Sequence, residues 1–404
     1  MIELNAQEIM AAEAKYVLQT YVRPEVVFTH GEGAYLYDTE GKQYLDFMSG
    51  IAVMSLGHSN AAWVTAVSQQ ATQLTHVSNL FHTAPHALLA KRLVENSFAD
   101  KVYFCNSGAE ANEAAIKFAR KYGKQSTINN QQSTINKSKI VAFSGSFHGR
   151  TMGALAVTSK EKYREPFLPV MPGVVFAVFN DLDSAVNAID DQTCAVIVEP
   201  IQGEGGVNPA APGFLQGLRQ LCDQHNALLI FDEVQVGLGR TGALWAHESF
   251  GVMPDMMTLA KPLAGGLPIG ATLVTQKVAD VMKPGDHGST FAGGPLVCAA
   301  ANVVFDQVNQ PHFLQQVREN GEYLQHKLNS LEADQIVEVR GAGMLVGVQL
   351  NTAVSAVIPA ARAKGLLIIN AGEDVLRLAP PLIVNKEQID TAVSIIGSCL
   401  EEIS

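Results

Sequence analysis

The sequence predicts an α/β protein: a large, mostly parallel sheet covered on both faces, with a smaller α/β domain beside it. Three observations carry the prediction. Continuous apolar runs at 102–104, 139–143, 195–198, 228–231 and 271–274 lack the in–out alternation of a half-exposed strand, which is how buried parallel strands read. Helical patterns separate these runs, and parallel strands need such crossovers. Beyond a long helical stretch after about residue 300, mixed segments at 336–350 and 366–378 form a second, shorter α/β unit.

The elements follow in order. A polar helix-like start covers 7–16, then 34–38 and 43–47 flank the turn-rich Thr39-Glu40-Gly41-Lys42 and read as a hairpin. From about residue 60, helices alternate with the short apolar strands. Residues 123–138 interrupt them with a polar stretch in which Gln-Ser-Thr-Ile-Asn occurs twice, expected as a solvated surface loop.

Composition narrows the class. With 404 residues, 47% hydrophobic and 17% charged, the chain has material for two or three domains of ~100–200 residues. A net charge of −11 argues against a nucleic-acid binder, which presents a basic stripe. No apolar run approaches the ~18 residues of a membrane span. The start, with Glu3, Glu8 and Glu13, suits neither a signal nor a transit peptide. Cys105, Cys194, Cys222, Cys298 and Cys399 are scattered and form no CxxC pair, as buried free thiols of a reducing compartment do. A soluble cytoplasmic enzyme is the expectation.

Three motifs carry chemistry. Cys105-Asn106-Ser107-Gly108-Ala109-Glu110 joins a strand to a helical pattern. Ser107 and Glu110 have capping-box spacing, and a helix start with a glycine suits a phosphate, although a plain capped helix reads the same way. The run 228–231 ends in Asp232-Glu233-Val234-Gln235, at the strand end where open α/β sheets bind ligands. A buried carboxylate there needs a partner: a metal, an Arg or Lys, or a protonated ring nitrogen. Lys261 closes the apolar run Thr258-Leu259-Ala260 and enters a Gly/Pro-rich loop. It is either a desolvated, nucleophilic amine or a lysine whose charge reaches water.

Other patterns are set aside. Gly237-Leu238-Gly239-Arg240-Thr241-Gly242 matches a dinucleotide fingerprint in letters only, because no helix opens there and an acidic pair precedes it. His76, His82 and His86 have no zinc-ligand spacing, so no metal is expected. Together, a phosphate-type helix start, a buried Asp and a reactive Lys suggest pyridoxal 5′-phosphate, which has a phosphate, a ring nitrogen and an aldehyde.

At this point the chain resembles a known family, the class III, fold-type I pyridoxal-phosphate aminotransferases, and within it the acetylornithine type. The likeness runs over nearly the whole length. Its motifs stand in order: CNSGAEANEAAIK from Cys105, SFHGRT from Ser146, VEPIQGEGGV from Val198, LLIFDEVQVGLGRTG from Leu228, TLAKPLAGG from Thr258 and HGSTF from His287.

The resemblance implies a division into residues 1–55 and 301–404, which build the small domain, and 56–300, which hold the cofactor. It implies that Lys261 holds the cofactor as a Schiff base and then shuttles a proton, while Asp232 pairs with the pyridinium nitrogen. Glu233 falls in the same cofactor-binding stretch, Gln235 near the phenolic oxygen, and Val234 and Phe147 on the two ring faces. Ser107, Gly108 and Ala109 form the phosphate cup, completed by Thr290 from the partner of a homodimer.

Arg150 is implied to hold the α-carboxylate of the amino donor, and Arg377 that of glutamate or 2-oxoglutarate. Glu204 is implied to pair with Arg377 until the second substrate arrives. Asn79 and Ser289 are further pocket contacts. The implied activity is transfer of the terminal amine of N2-acetylornithine to 2-oxoglutarate, in arginine biosynthesis. The alternatives are ornithine, succinylornithine, acetyl-lysine or 4-aminobutyrate aminotransferase, a glutamate-semialdehyde aminomutase, or a non-catalytic protein of the same fold. Ala109 and Gly294 depart from a threonine and an asparagine common in the family. Ile51 stands where ornithine enzymes tend to carry tyrosine, which favours an acylated donor.

Overall fold

The computed structural model describes residues 5–129 and 137–402. Its centre is a seven-stranded sheet in the order Lys101–Cys105, Gly270–Val274, Met256–Leu259, Leu228–Asp232, Thr193–Val198, Lys139–Phe143, Val174–Ala177. Pairings are parallel except where Gly270–Val274 runs opposite to both neighbours. Every residue of the strands Thr193–Val198, Leu228–Asp232, Met256–Leu259 and Gly270–Val274 is buried, which is why these strands lack alternation in sequence. Two further strands went unread. Val174–Ala177 is a four-residue edge strand, and Met256–Leu259 overlaps the run Thr258-Leu259-Ala260 that the sequence offered only as the approach to Lys261.

The expected hairpin forms, with Tyr35 opposite Leu45 and Leu36 opposite Tyr44. Leu366–Leu367 then pairs parallel with its second strand, Gln43–Asp46. One apolar core accordingly combines Ala34, Leu45 and Phe47 with residues between Val317 and Leu400. Helix Pro295–Val308 runs through residue 300, and its Ala301, Val304, Phe305 and Val308 pack with Leu56, Leu89 and Trp245 under the large sheet.

The polar stretch at 123–138 differs from expectation at its beginning. Helix Gly108–Asn129 continues into it, and residues 130–136 lie outside the described residues. The glycine-rich turn 237–242 is a joint and not a phosphate loop. A Cβ on Gly239 would lie 2.5 Å from Val308 Cγ1, and one on Gly343 would lie 2.6 Å from the Arg240 carbonyl oxygen. The buried Arg240 guanidinium donates to the carbonyls of Met344 and Pro380, so the turn seats the C-terminal core on the large sheet.

Candidate active site

Strand Leu228–Asp232 lies between two parallel neighbours, so Asp232, Glu199 and Lys261 follow strands that end on the same edge of the sheet. Asp232 is buried. Its Oδ2 accepts from Asn112 Nδ2 at 2.7 Å and from His148 Nδ1 at 2.7 Å, and its Oδ1 accepts from the Val234 N–H at 3.0 Å. Asn112 is itself fixed, since its Oδ1 accepts from Thr258 Oγ1 at 2.8 Å and its Nδ2 donates to the His148 carbonyl at 2.7 Å. Donors of this number satisfy the buried carboxylate and fix its orientation. The sequence singled out Asp232 but not Asn112, His148 or Thr258. The available signal was that Asn112 sits one helical turn past Gly108 and His148 beside Phe147.

Burial pushes the Lys261 amine down to about 8, and the neighbouring positive charge of Arg377 acts in the same direction, against Glu204, Asp232 and Glu199. A substantial fraction of the amine is therefore unprotonated near neutral pH, as a nucleophilic lysine requires.

The first turn of helix Gly108–Asn129 abuts both strand ends. A Cβ on Gly108 would lie 2.7 Å from Val234 Cγ1 and 3.4 Å from Ala260 Cβ, so only glycine permits this approach. Ala109 packs under Gly149, where an added Cβ would lie 2.8 Å from its own. Ser107 Oγ accepts the Glu110 N–H at 3.2 Å, but the Glu110 carboxylate returns to the Asn106 N–H at 2.6 Å. The expected capping box thus closes one residue early.

Phe147 is half-buried, and its N–H donates to Glu199 Oε2 at 3.1 Å. The other Glu199 oxygen accepts the Gly203 N–H at 3.2 Å, and burial raises this carboxyl above its ordinary range. Glu199 thereby fastens the Phe147 segment to the turn carrying Glu204, a role the sequence did not reveal. The Arg150 guanidinium lies 3.5 Å over the Tyr163 ring and 5.7 Å from Phe147. Arg150 is exposed and makes no ion pair among the described residues, which leaves its planar fork open to a carboxylate.

Arg377 comes from strand Val375–Leu378 and is 1% exposed. Its Nη1 donates to Glu204 Oε1 at 2.6 Å and to Gln235 Oε1 at 3.0 Å. Burial acts to raise the Glu204 carboxyl, and the charges of Arg377 and Lys261 overcome it, holding Glu204 below its ordinary range. Glu204 and Arg377 line a cleft of about 760 Å³ together with Ile51, Lys160 and Tyr163.

Several expected residues have partners within the chain. Glu233 has its carboxylate turned to the N–H groups of Ala246 and His247, at 2.6 and 2.8 Å, and to His247 Nδ1 at 2.8 Å. Glu233 follows directly on Asp232, the last strand residue, and its carboxylate is taken up on the His247 side, so of the acidic pair only Asp232 reaches Asn112 and His148. Asn79 donates to the Ala292 carbonyl at 3.0 Å, and Ser289 Oγ accepts from Asn106 Nδ2 at 2.8 Å. These contacts tie the 289–292 loop to the helix start within one chain. Thr290 is exposed.

The residues present fit pyridoxal phosphate. A carboxylate able to face a protonated ring nitrogen, an amine of depressed basicity and a helix start meet within one cluster, since Asn112 bridges the helix to Asp232 and Gly108 touches Val234 and Ala260.

Comparison with known proteins agrees. The family model described as Aminotransferase class-III matches residues 16–400. The mitochondrial acetylornithine aminotransferase of Alnus glutinosa is 52% identical over 98% of this chain and 88% of its own length. The succinylornithine transaminase of Yersinia pestis bv. Antiqua (strain Angola) is 45% identical over 96% of this chain and 95% of its own. A solved structure of the Toxoplasma gondii ornithine aminotransferase, with PLP at partial occupancy in its active site, superposes with a TM-score of 0.93 at 32% identity, covering 99% of this chain and 95% of that one. With the family matched from Tyr16 to Leu400 and the lysine, aspartate and helix start gathered at one sheet edge, the chain belongs to the class-III aminotransferases, enzymes that work with pyridoxal 5′-phosphate.

Proposed function

We propose that the chain is an N2-acetylornithine:2-oxoglutarate aminotransferase, giving N-acetylglutamate 5-semialdehyde and glutamate in arginine biosynthesis. The observation that carries this reading is the Arg377–Glu204 pair at 2.6 Å on the cleft wall, with Arg150, which makes no ion pair among the described residues, stacked on the cleft residue Tyr163. A site with one neutralised and one open arginine suits a donor whose single carboxylate is remote from the reacting amine. It then suits an acceptor with two carboxylates once Glu204 turns away. The half-buried, apolar Ile51 on the cleft favours an acylated α-nitrogen, and acetylornithine enzymes among the relatives support the same donor.

Pyridoxal phosphate supplies an aldehyde carbon and a ring that withdraws electrons from the substrate carbon. The chain supplies the rest. Lys261 Nζ would hold the cofactor covalently and would move the proton once freed. Asp232, held by Asn112 and His148, keeps positive charge on the ring nitrogen. Phe147 and Val234 would bound the ring faces, and Ser107, Gly108 and Ala109 would hold the phosphate at the helix start. Arg150 and Arg377 orient the carboxylates bidentately.

In this reading the enzyme is a cytoplasmic homodimer with Thr290 reaching the partner's phosphate cup. Residues 56–300 hold the cofactor together with the end of helix Pro295–Val308, which packs under the large sheet, and the segments 1–55 and the remainder of 301–404 form the smaller body. Five buried free cysteines support a reducing compartment. A succinylated donor is the second reading, favoured by Lys160 and Lys162 on the cleft, which could meet an added carboxylate.

Steady-state turnover with 2-oxoglutarate tests the assignment. The kcat/KM for N2-acetylornithine should exceed that for ornithine by at least about tenfold. A preference for free ornithine overturns it, and a preference for succinylornithine selects the second reading.

A further inference from the structure

One segment beside the cleft is unused by the catalytic account. Ser49, Gly50, Ile51 and Ala52 have φ of 43°, 64°, 68° and 62°, a left-handed turn of four successive residues. L side chains disfavour this region, and a β-branched residue such as Ile51 is a genuine outlier there. Such strain persists where surrounding contacts over-determine the backbone, and it concentrates at functional sites.

The contacts are present. Asp46 Oδ1 accepts the N–H groups of Met48 and Ser49 at 3.1 and 2.7 Å, and its Oδ2 meets His58 Nε2 at 2.8 Å. The Ser49 carbonyl accepts from the Val53 and Met54 N–H groups at 2.9 and 3.0 Å. The Ser49 hydroxyl, fully buried, donates to the Ala379 carbonyl at 2.5 Å, and the Ala379 N–H donates back to the Phe47 carbonyl at 2.8 Å. Ala379 lies two residues past Arg377, whose Nε has no hydrogen-bond partner. Ile51 and Arg377 both line the cleft.

We propose that the left-handed turn is a bracket in which Ser49 is a positioning residue, fastening the Arg377 backbone and the Ile51 wall to each other so that one rigid unit presents both substrate-contacting surfaces. This rests on the reading of Arg377 as the group that binds a substrate carboxylate. The contacts that hold the strained turn keep Ile51 on the cleft, and the Ser49 hydroxyl carries that register to the Arg377 strand. Neither Ser49 nor the turn touches the reacting atoms, so its contribution lies in binding geometry and not in the chemical step.

The test uses the holoenzyme with Ser49→Gly and Ser49→Ala. Both remove the hydroxyl. Glycine tolerates the positive φ whereas alanine keeps the strain, so Ser49→Gly should melt at the higher temperature of the two. In both variants KM should rise about tenfold for the amino donor and for glutamate, because sub-ångström misplacement of a carboxylate clamp costs that much, with kcat within about twofold of wild type.

Unchanged KM values with a shifted Tm overturn the proposal, since a purely structural residue behaves so. A KM raised for one substrate alone also overturns it. Reaction with glutamate, followed by cofactor absorbance, is independent of donor identity. Wild-type enzyme that ignores acylated ornithines therefore sinks the function proposed above and leaves this test intact, while failure to react with glutamate removes the premise about Arg377.

Discussion

His148 donates from Nδ1 to Asp232 Oδ2 across 2.7 Å, while its Nε2 is buried without a hydrogen-bond partner. An ionised carboxylate only accepts, so the imidazole proton must sit on Nδ1. With Asn112 on the same oxygen, this contact fixes the orientation of the Asp232 carboxylate, which is what a positively charged ring nitrogen would need beside it.

Replacing His148 with Phe removes one charge-assisted hydrogen bond, worth about 1.5–3 kcal/mol. If that support matters most when charge develops on the cofactor, kcat should fall roughly 10–100-fold with little change in substrate KM. Asp232→Asn should be far more damaging. Stopped-flow half-reactions on both variants check the order, and a His148→Phe enzyme with unaltered kcat would refute the support role.

The depressed Lys261 predicts a pH dependence for cofactor uptake. Below its pKa of about 8 the amine is protonated and unreactive; above it the free amine predominates. The rate at which apoprotein takes up pyridoxal phosphate should therefore climb through about pH 8 and not near the ordinary lysine value. Lys261→Ala should abolish turnover, and retention of full activity would end the mechanistic reading.

Glu204→Ala leaves Arg377 without its carboxylate partner. The donor half-reaction should suffer, with KM raised about tenfold, because an uncompensated arginine at the cleft invites the wrong carboxylate. The glutamate half-reaction should hold or improve. Equal losses in both halves count against a movable Glu204.

Arg150→Lys should raise donor KM about tenfold or more, because an ammonium cannot make the planar two-point contact. Tyr163→Leu removes the ring under the guanidinium. It should cost about 0.5–1 kcal/mol, a few-fold in KM.

Glu233→Gln offers a contrast with its neighbour. Breaking a buried charge that accepts two N–H groups and a histidine costs about 3–5 kcal/mol, so Tm should drop by several degrees. The absorbance of bound cofactor should stay as in wild type. A changed cofactor spectrum with unchanged Tm would return Glu233 to the cofactor side.

Much of this was readable because the relevant signals are local. Buried strands show as unbroken apolar runs, and Asp232 and Lys261 stand at the ends of two of them. The duties of Glu233 and Asp232 were not separable in sequence, because only the folded strand end decides which of two adjacent carboxylates faces the helix. Asn112, His148 and Thr258 escaped notice because their work is a hydrogen-bond network assembled from three distant segments. The left-handed turn was also hidden: Ser-Gly-Ile-Ala has ordinary composition, and the contacts that hold it come from Asp46 and Ala379.

The pairing of Leu366–Leu367 with Gln43–Asp46 has a consequence for synthesis. The hairpin strand leaves the ribosome early, yet its neighbour is made about 320 residues later, tens of seconds at ~5–20 residues per second. During that interval Tyr44, Leu45 and Phe47 have no C-terminal core to enter, while the strands between Lys101 and Val274 can already assemble. The hairpin strand Gln43–Asp46 thus keeps an unpaired edge until Leu366–Leu367 has been made. Crowded translation should make that edge the place where newly made copies aggregate.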